Sequence, residues 1–318
     1  MSFIQKNQLH IDKLLSNVAL GYKPRTGFAR EIAPIVSVQK QTDLYRVWDQ
    51  ADLWRIDDTL RAPGQEANRI STTVGSDSYS AVNYALRSDI AIEETVNADN
   101  LRELEQGRTM ALMDKILMDW DRRVALQVTS SSNVGTASNV ASAWTDAANS
   151  DPFSDILTVM DQIEDATGYR PNKMVAGGDA WRNLRRNNAI IDKVNKTGIT
   201  GGDLNSSQEQ VKDLFDLDKV IVAGGYINTA DEGVAATYSR TFGDHILVYY
   251  APERPTIELP SFMYSFRWAG GGLPNMQVSR LPYDQYKQKS GIQVSYYQDE
   301  KITSAALGGL ISWSGSSQ

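Results

Sequence analysis

The sequence predicts an α+β protein in which a compact α/β unit interrupts a more extended scaffold of arm, hairpin and long helix. Three observations carry this. Two strand-like runs, Thr42–Trp48 and Ser78–Leu86, flank a polar, turn-rich excursion, Arg61-Ala62-Pro63-Gly64-Gln65-Glu66-Ala67-Asn68-Arg69. From about Ile92 the chain reads as one unbroken amphipathic helix. From Asp151 the pattern changes to short strands alternating with capped helices.

Residues 1–35 begin with a helical pattern in which Leu9, Ile11, Leu14, Leu15, Val18 and Leu20 fall near one face and Gly21 stops it. The chain then runs extended to Pro34, as an arm ahead of the body. In residues 36–92, Val82, Tyr84 and Leu86 alternate with Asn83, Ala85 and Arg87, the period of a half-buried strand. Pro63-Gly64 marks a turn, because proline presets φ and glycine accepts φ > 0. The reading is a long two-stranded hairpin with an irregular tip. An isolated hairpin is marginal in water, so it must dock on something else.

The helix follows, within a segment spanning 93–150. Glu93, Glu94, Asp99, Glu103 and Glu105 crowd its start and Arg122 and Arg123 its end, as the macrodipole favours. Leu104, Leu112, Ile116, Trp120 and Val124 form its apolar stripe, widened by Leu101, Met113, Leu117 and Val128. If Asn97 to Thr129 is all helix, it spans ~50 Å at about 1.5 Å per residue. Thr129 to Asn149 is Ser/Ala/Asn-rich and reads as a loop anchored by Trp144.

Residues 151–255 form the α/β unit. Asp151 and Pro152 suit the N-cap and first turn of a helix that buries Ile156, Met160 and Ile163, with Leu157, and ends at Gly168. Lys173–Ala176 is a strand, Gly177-Gly178 a turn, and Asp179 the cap of a helix carrying Trp181 and Leu184. Thr197 to Asn205 is a Gly-rich loop, and Ser206 with Glu209 forms a capping box for a third helix ending near Phe215. Val220–Ala223 and Ile246–Tyr250 close the unit. Residues 256–318 return to β patterning at Phe262–Trp268, Ile292–Tyr297 and Leu307–Trp313, strands expected to pack on the long helix.

The 318 residues are 41% hydrophobic and 22% charged, enough for one large or two medium cores. There are no cysteines, which excludes disulfides, thiolate metal sites and cysteine nucleophiles and fits a reducing cytoplasm. No run approaches a membrane span, and Met1-Ser2-Phe3-Ile4-Gln5-Lys6 lacks the apolar block of a signal peptide. Net charge is −7, from 32 Lys+Arg against 39 Asp+Glu, with basic clusters only at Arg122-Arg123 and at Arg182, Arg185 and Arg186. That argues against gripping nucleic acid, though not against enclosing it.

No catalytic, cofactor or metal signature survives. His10 and His245 are the only histidines, and no Gly-x-Ser-x-Gly elbow accompanies His245. Val175-Ala176-Gly177-Gly178-Asp179 lacks the third glycine of a dinucleotide turn, and Lys196-Thr197-Gly198-Ile199-Thr200-Gly201-Gly202 holds P-loop letters in the wrong order. The paired carboxylates Asp57-Asp58, Glu93-Glu94 and Asp299-Glu300 converge on no ion site. What remains is the hairpin tip. Arg55, Arg61 and Arg69 intermix with Asp57, Asp58 and Glu66, and bidentate Arg–carboxylate pairing gives geometric specificity across interfaces. These six residues are the candidate intersubunit contacts.

Arg61-Ala62-Pro63-Gly64 with Glu66-Ala67-Asn68, Ala98-Asp99-Asn100, and Ala166-Thr167-Gly168-Tyr169-Arg170-Pro171-Asn172 resemble tailed-phage major capsid proteins of the Hong Kong 97-type shell fold. So do Pro260-Ser261-Phe262, Tyr264-Ser265-Phe266 and Asp299-Glu300-Lys301-Ile302-Thr303. The motifs are individually weak, but they run in order along nearly the whole chain. The resemblance implies an N-terminal arm at 1–35, an extended loop at 36–92 and a spine helix with the peripheral domain at 93–150. It places an axial domain at 151–255 and a return to the peripheral domain at 256–318. It implies hexamers and pentamers closing an icosahedral head around double-stranded DNA, with each loop across a neighbour. The partners implied are a portal, a scaffolding protein and a decoration protein, with assembly in the bacterial host cytoplasm and residence in the virion capsid.

Some shells of this fold link a lysine on the extended loop to an asparagine of another subunit. Here Lys40, at the base, is the only lysine in 36–92, so no such crosslink is expected and cohesion falls to non-covalent contacts or a decoration protein. The arm begins within a few residues of Met1, so the scaffold is expected to be a separate protein. An encapsulin-like compartment around a cargo enzyme is the alternative. A cytoplasmic α/β enzyme using the Gly-rich turns is a second.

Overall fold

The computed structural model describes residues 10–11, 27–48, 55–56, 59–61, 63–64, 66–69, 74–140, 144–146, 150–196, 207–257, 259–270 and 276–313. In chain order the first elements are β1 (His10–Ile11), α1 (Ala29–Ile32), β2 (Ile35–Val38), β3 (Thr42–Trp48), β4 (Val74–Ser80) and β5 (Val82–Ala91). Then come α2 (Ile92–Asn97), α3 (Leu101–Val128), β6 (Thr136–Val140), α4 (Pro152–Thr167), β7 (Lys173–Gly177), α5 (Gly178–Arg186), α6 (Asn188–Lys196), α7 (Gln208–Leu214) and β8 (Lys219–Ala223). The last are β9 (Tyr226–Asn228), β10 (Tyr238–Arg240), β11 (Ile246–Tyr249), β12 (Met263–Trp268), β13 (Gln277–Asp284), β14 (Lys289–Ile302) and β15 (Gly308–Trp313).

Two sheets carry the molecule. One is six-stranded, in the order β1-β13-β14-β12-β2, with β5 along the opposite side of β14, so that Gln293 faces Ser279 on one side and Arg87 on the other. The second is five-stranded, in the order β6-β15-β11-β7-β8. Period-two alternation divides its side chains between two cores. Met174, Ala176, Ile246, Val248 and Ile311 face α4 to α7, whereas Val175, Leu247, Tyr249 and Leu310 join the core of α3 and the six-stranded sheet. Because both faces of β11 are covered, its sequence is the continuous apolar run Ile-Leu-Val-Tyr.

The long helix is shorter than expected. Ala98 is extended and interrupts it, and Asn100 starts α3 afresh, its side-chain oxygen accepting the Arg102 N–H at 3.1 Å. The 28 residues of α3 span ~42 Å at about 1.5 Å per residue. Leu112, Met113, Ile116, Leu117, Trp120, Val124 and Val128 are buried as the stripe requires, Leu104 is partly buried, and Leu101 is exposed. Glu94 pairs with Arg108 at 2.8 Å, so the acidic start is also held by a side chain.

Other expectations are corrected in detail. Ser78–Leu86 is two strands: the chain breaks at the buried Ala81, β4 staying with β3 and β5 joining β14. His10 and Ile11, expected on a helix, pair as a strand with Ser279 and Arg280; the rest of that helical pattern lies outside the described residues. The Ser/Ala/Asn-rich stretch contains β6, beside β15, although Trp144 is the anchor expected, buried with its indole donating to Asp155 at 2.9 Å. The capping box is Ser207 with Gln210, one residue later than read. Gly177, not Asp179, caps α5, because Asp179 turns to Arg182 and Arg240. The last strand, β15, pairs with β11 and β6 in the five-stranded sheet, and only its Leu310 face joins the core of α3. The Gly-rich loop and the P-loop letters from Thr197 on lie outside the described residues.

Residues 28–33 join the two halves. The Asp121 carboxylate of α3, itself buried, accepts the backbone N–H groups of Phe28 at 3.1 Å and Ala29 at 2.9 Å. From the five-stranded sheet, the Tyr249 hydroxyl donates to the Glu31 carbonyl at 2.9 Å and Lys219 pairs with the Glu31 carboxylate at 2.6 Å. Phe28 packs edge-on against Phe242 at 5.5 Å.

Candidate intersubunit surface

The hairpin β3–β4 is rooted by aromatic packing. Tyr45 and Tyr79 are buried against Phe266 of β12, at 5.1 and 4.8 Å between ring centroids. The Tyr45 hydroxyl donates to Asp77 at 2.8 Å, the Tyr79 hydroxyl to the Lys40 carbonyl at 3.2 Å, and the Trp268 indole to the Gln39 carbonyl at 2.9 Å. Asp299 of β14 accepts the Ser80 N–H at 2.8 Å. Burial pushes the Asp299 carboxyl up, while the Tyr45 hydrogen bond holds Asp77 below the usual carboxylate range. Lys40 makes an ion pair with Asp43 at 2.9 Å at this base.

Past the root, the described residues of the excursion are exposed. Arg55, Arg61, Glu66 and Arg69 are exposed, and Glu66 faces Arg69 at 3.8 Å. Asp57 and Asp58 lie outside the described residues. An ion pair whose side chains are both 90% exposed contributes little to stability, so Glu66–Arg69 does not hold the tip in place. Ile56 and Leu60 do not appear among the sequence candidates, yet they are 98% and 84% exposed. Two large aliphatic residues four apart, among Arg55, Asp57, Asp58, Thr59 and Arg61, are the signal that could have found them. Apolar anchors inside a polar rim are the usual composition of an interface centre.

The enzymatic readings find structural explanations. A Cβ at Gly177 would stand 1.9 Å from the Gly243 carbonyl oxygen, and its N–H donates to the His245 carbonyl at 2.9 Å. The glycine therefore serves a close backbone approach, not a phosphate. Gly177→Ala is expected to leave the subunit insoluble or unfolded, since neither backbone can yield; circular dichroism of the purified variant checks this. His245 is buried, which pushes its pKa down, and its Nδ1 has no hydrogen-bond partner among the described residues. Glu300 pairs with Arg123 at 2.8 Å. Among the described residues no group of three or more potential ligands could hold a metal ion, and no helix is long and apolar enough to cross a membrane.

Residues 90–241 match the family model for phage major capsid protein E. A major capsid protein of Burkholderia phage BcepMu is 25% identical over 280 residues, covering 84% of this chain and 87% of that protein. The chain is similar to phage major capsid proteins over most of its length. Solved structures show the same fold. A phage-related protein from Bordetella bronchiseptica RB50 superposes with a TM-score of 0.76 at 20% identity, covering 96% of this chain and 97% of that one. The capsid of cyanophage P-SCSP1u gives 0.59 at 11% identity, over 92% and 89%.

The β3–β4 hairpin, the long helix α3, the six-stranded sheet and the α/β unit together make a mixed helix-and-sheet fold shared with phage capsid structures. The protein's work is structural rather than catalytic. It associates with copies of itself as a subunit of a phage head and resides in the virion. The compartment-shell alternative is not favoured, because the sequence relatives are phage head proteins.

Proposed function

We propose that this capsid protein forms hexamers and pentamers that close an icosahedral head around double-stranded DNA, and that β3–β4 straps each subunit to a neighbour. The arm at 1–35, the loop at 36–92, the helix and peripheral segment at 93–150, the axial segment at 151–255 and the return at 256–318 are the working parts. The observation that carries the strap is the exposure of Ile56 and Leu60 beyond a well-rooted base. A subunit left alone would hold these side chains in water at a cost of about 1.5–3 kcal/mol each relative to burial. Arg55, Asp57, Asp58, Arg61, Glu66 and Arg69 supply the polar rim that fixes register. A separate scaffolding protein, a portal and a decoration protein are its partners, and assembly takes place in the host cytoplasm.

Replacing Ile56→Ser together with Leu60→Ser tests the strap. The variant subunit is expected to unfold at the wild-type temperature yet give few closed particles by electron microscopy. Wild-type yields of closed particles from that variant would refute the strap.

A further inference from the structure

The axial unit carries a second projection. The β9–β10 hairpin ends in the turn 229–237, with Asp231 and Glu232 exposed beside Val234, 66% exposed, and Tyr238, 72% exposed. Its shape is set in advance. The Asn228 side-chain oxygen accepts the N–H groups of Ala230 at 3.2 Å and Thr237 at 2.9 Å, and Thr229 N–H donates to the Thr237 carbonyl at 2.8 Å. At the base, Arg240 pairs with Asp179 at 2.6 Å. A tip ordered before contact loses little entropy on docking.

The same chain carries a surface of opposite sign. The last turn of α5 presents Arg185 and Arg186, and a cleft there is lined by Trp144, Thr145, Asn183, Arg186 and Asn187. Arg185 Nε is buried with no hydrogen-bond partner among the described residues. Neither Arg186 nor the carboxylates of Asp231 and Glu232 make an ion pair among the described residues. Charges without an ion pair among the described residues of one subunit, acidic on one projection and basic beside one cleft, are complementary between subunits. Cyclic rings use such pairs of unlike patches, each copy offering one to its neighbour on either side.

We propose that the β9–β10 hairpin is the tongue of a head-to-tail contact, its Asp231 and Glu232 entering the cleft beside Arg185 and Arg186 of the next copy. The Asn183 amide lines the entrance as a further donor, and Tyr238 and Val234 cover the pair from water. This rests on the reading that the axial unit gathers at the capsomer centre, and it names the residues that close the ring.

The absence of cysteine from the chain allows a direct test. Shells bearing Glu232→Cys with Asn183→Cys, oxidised and run on a non-reducing gel, are expected to give a ladder of oligomers that ends at closed rings. Neither single variant should give one. A product that stops at dimers, or no crosslinking at all, overturns the head-to-tail contact. Independently, Asp231→Lys with Glu232→Lys, or Arg185→Glu with Arg186→Glu, should each lower the yield of closed particles by at least about tenfold, and the four substitutions together should restore it. Failure of the combined variant to recover, with each subunit folded, sinks the pairing. Image reconstruction of wild-type shells separates the two levels. An axial unit at the capsomer centre without the ladder refutes only the tongue, whereas an axial unit elsewhere refutes both.

Discussion

Asp121→Ala is expected to destabilise the subunit by about 4 kcal/mol at pH 5, because two buried backbone N–H groups, those of Phe28 and Ala29, lose their acceptor. The loss should depend on pH in a specific direction. Burial raises the Asp121 carboxyl from 3.8 to about 6, the two N–H bonds only partly opposing it. A folded pKa above the unfolded one means that this group's contribution is complete below about 4 and declines as pH rises through about 6. At about 1.4 kcal/mol per unit, the decline between those limits is about 3 kcal/mol. The alanine variant should therefore approach wild type as pH is raised to 8. Asp121→Asn keeps an oxygen facing both N–H groups without the buried charge, so at pH 8 it should match or exceed wild-type stability. Urea unfolding followed by tryptophan fluorescence, as wild type minus variant across pH, isolates this residue from the other carboxylates. A difference between wild type and Asp121→Ala that grows with pH would contradict the argument.

The same residue shows what was legible in the sequence. Asp121 falls on the buried side of α3, between Trp120 and Arg122, and nothing in the sequence pattern singles it out. Its partners lie more than ninety positions away, so no local pattern announces them. Local signals did carry over. The strand-like run Thr42–Trp48 keeps the bounds its composition gives, capping chemistry places the Asp151–Pro152 start and the Gly168 end of α4, and Gly168 takes φ +71 as a C-cap requires. Signals of partnership did not. The run Ser78–Leu86 reads as one strand, although the apolar pair Ala81-Val82 shifts the phase of its alternation and its halves belong to different sheets; period two reports burial and not which strand supplies it. Likewise Leu307–Trp313 was visible as a strand while its place beside β11 was not. At the candidate surface, charge was visible as composition, and the exposure of Ile56 and Leu60 required coordinates because an aliphatic residue normally implies a core.

Glu300→Ala is expected to be the most damaging single change between the spine helix and its sheet. Glu300 reads in the sequence as half of the carboxylate pair Asp299-Glu300, and its side chain is 4% exposed. One carboxylate oxygen accepts from Arg123 of α3 and from Gln298 of β14, each at 2.8 Å. Gln298 in turn accepts from the buried Arg267 of β12 at 2.9 Å. Arg123 also donates to the Tyr296 hydroxyl at 3.0 Å, pairs with Asp119, and lies 3.7 Å over the Tyr84 ring. Arg267 lies over Tyr296 at 5.0 Å and Trp120 at 5.3 Å, and burial lowers its pKa to about 10, so it remains charged at neutral pH. Glu300 therefore links both guanidiniums, Arg123 directly and Arg267 through Gln298, while Asp119 is a second carboxylate on Arg123. Removal of Glu300 leaves both with less compensation in a low-dielectric site, a loss of about 3–5 kcal/mol. Glu300→Gln keeps an acceptor without the charge and should fall between alanine and wild type. Because the residues act as a unit, a double-mutant cycle with Arg123→Ala should show that the two losses do not add, with a coupling of about 1–3 kcal/mol. Additive losses would mean that the pair is bystander to the packing of Trp120 and Tyr296, and that apolar contact alone holds α3 on the sheet.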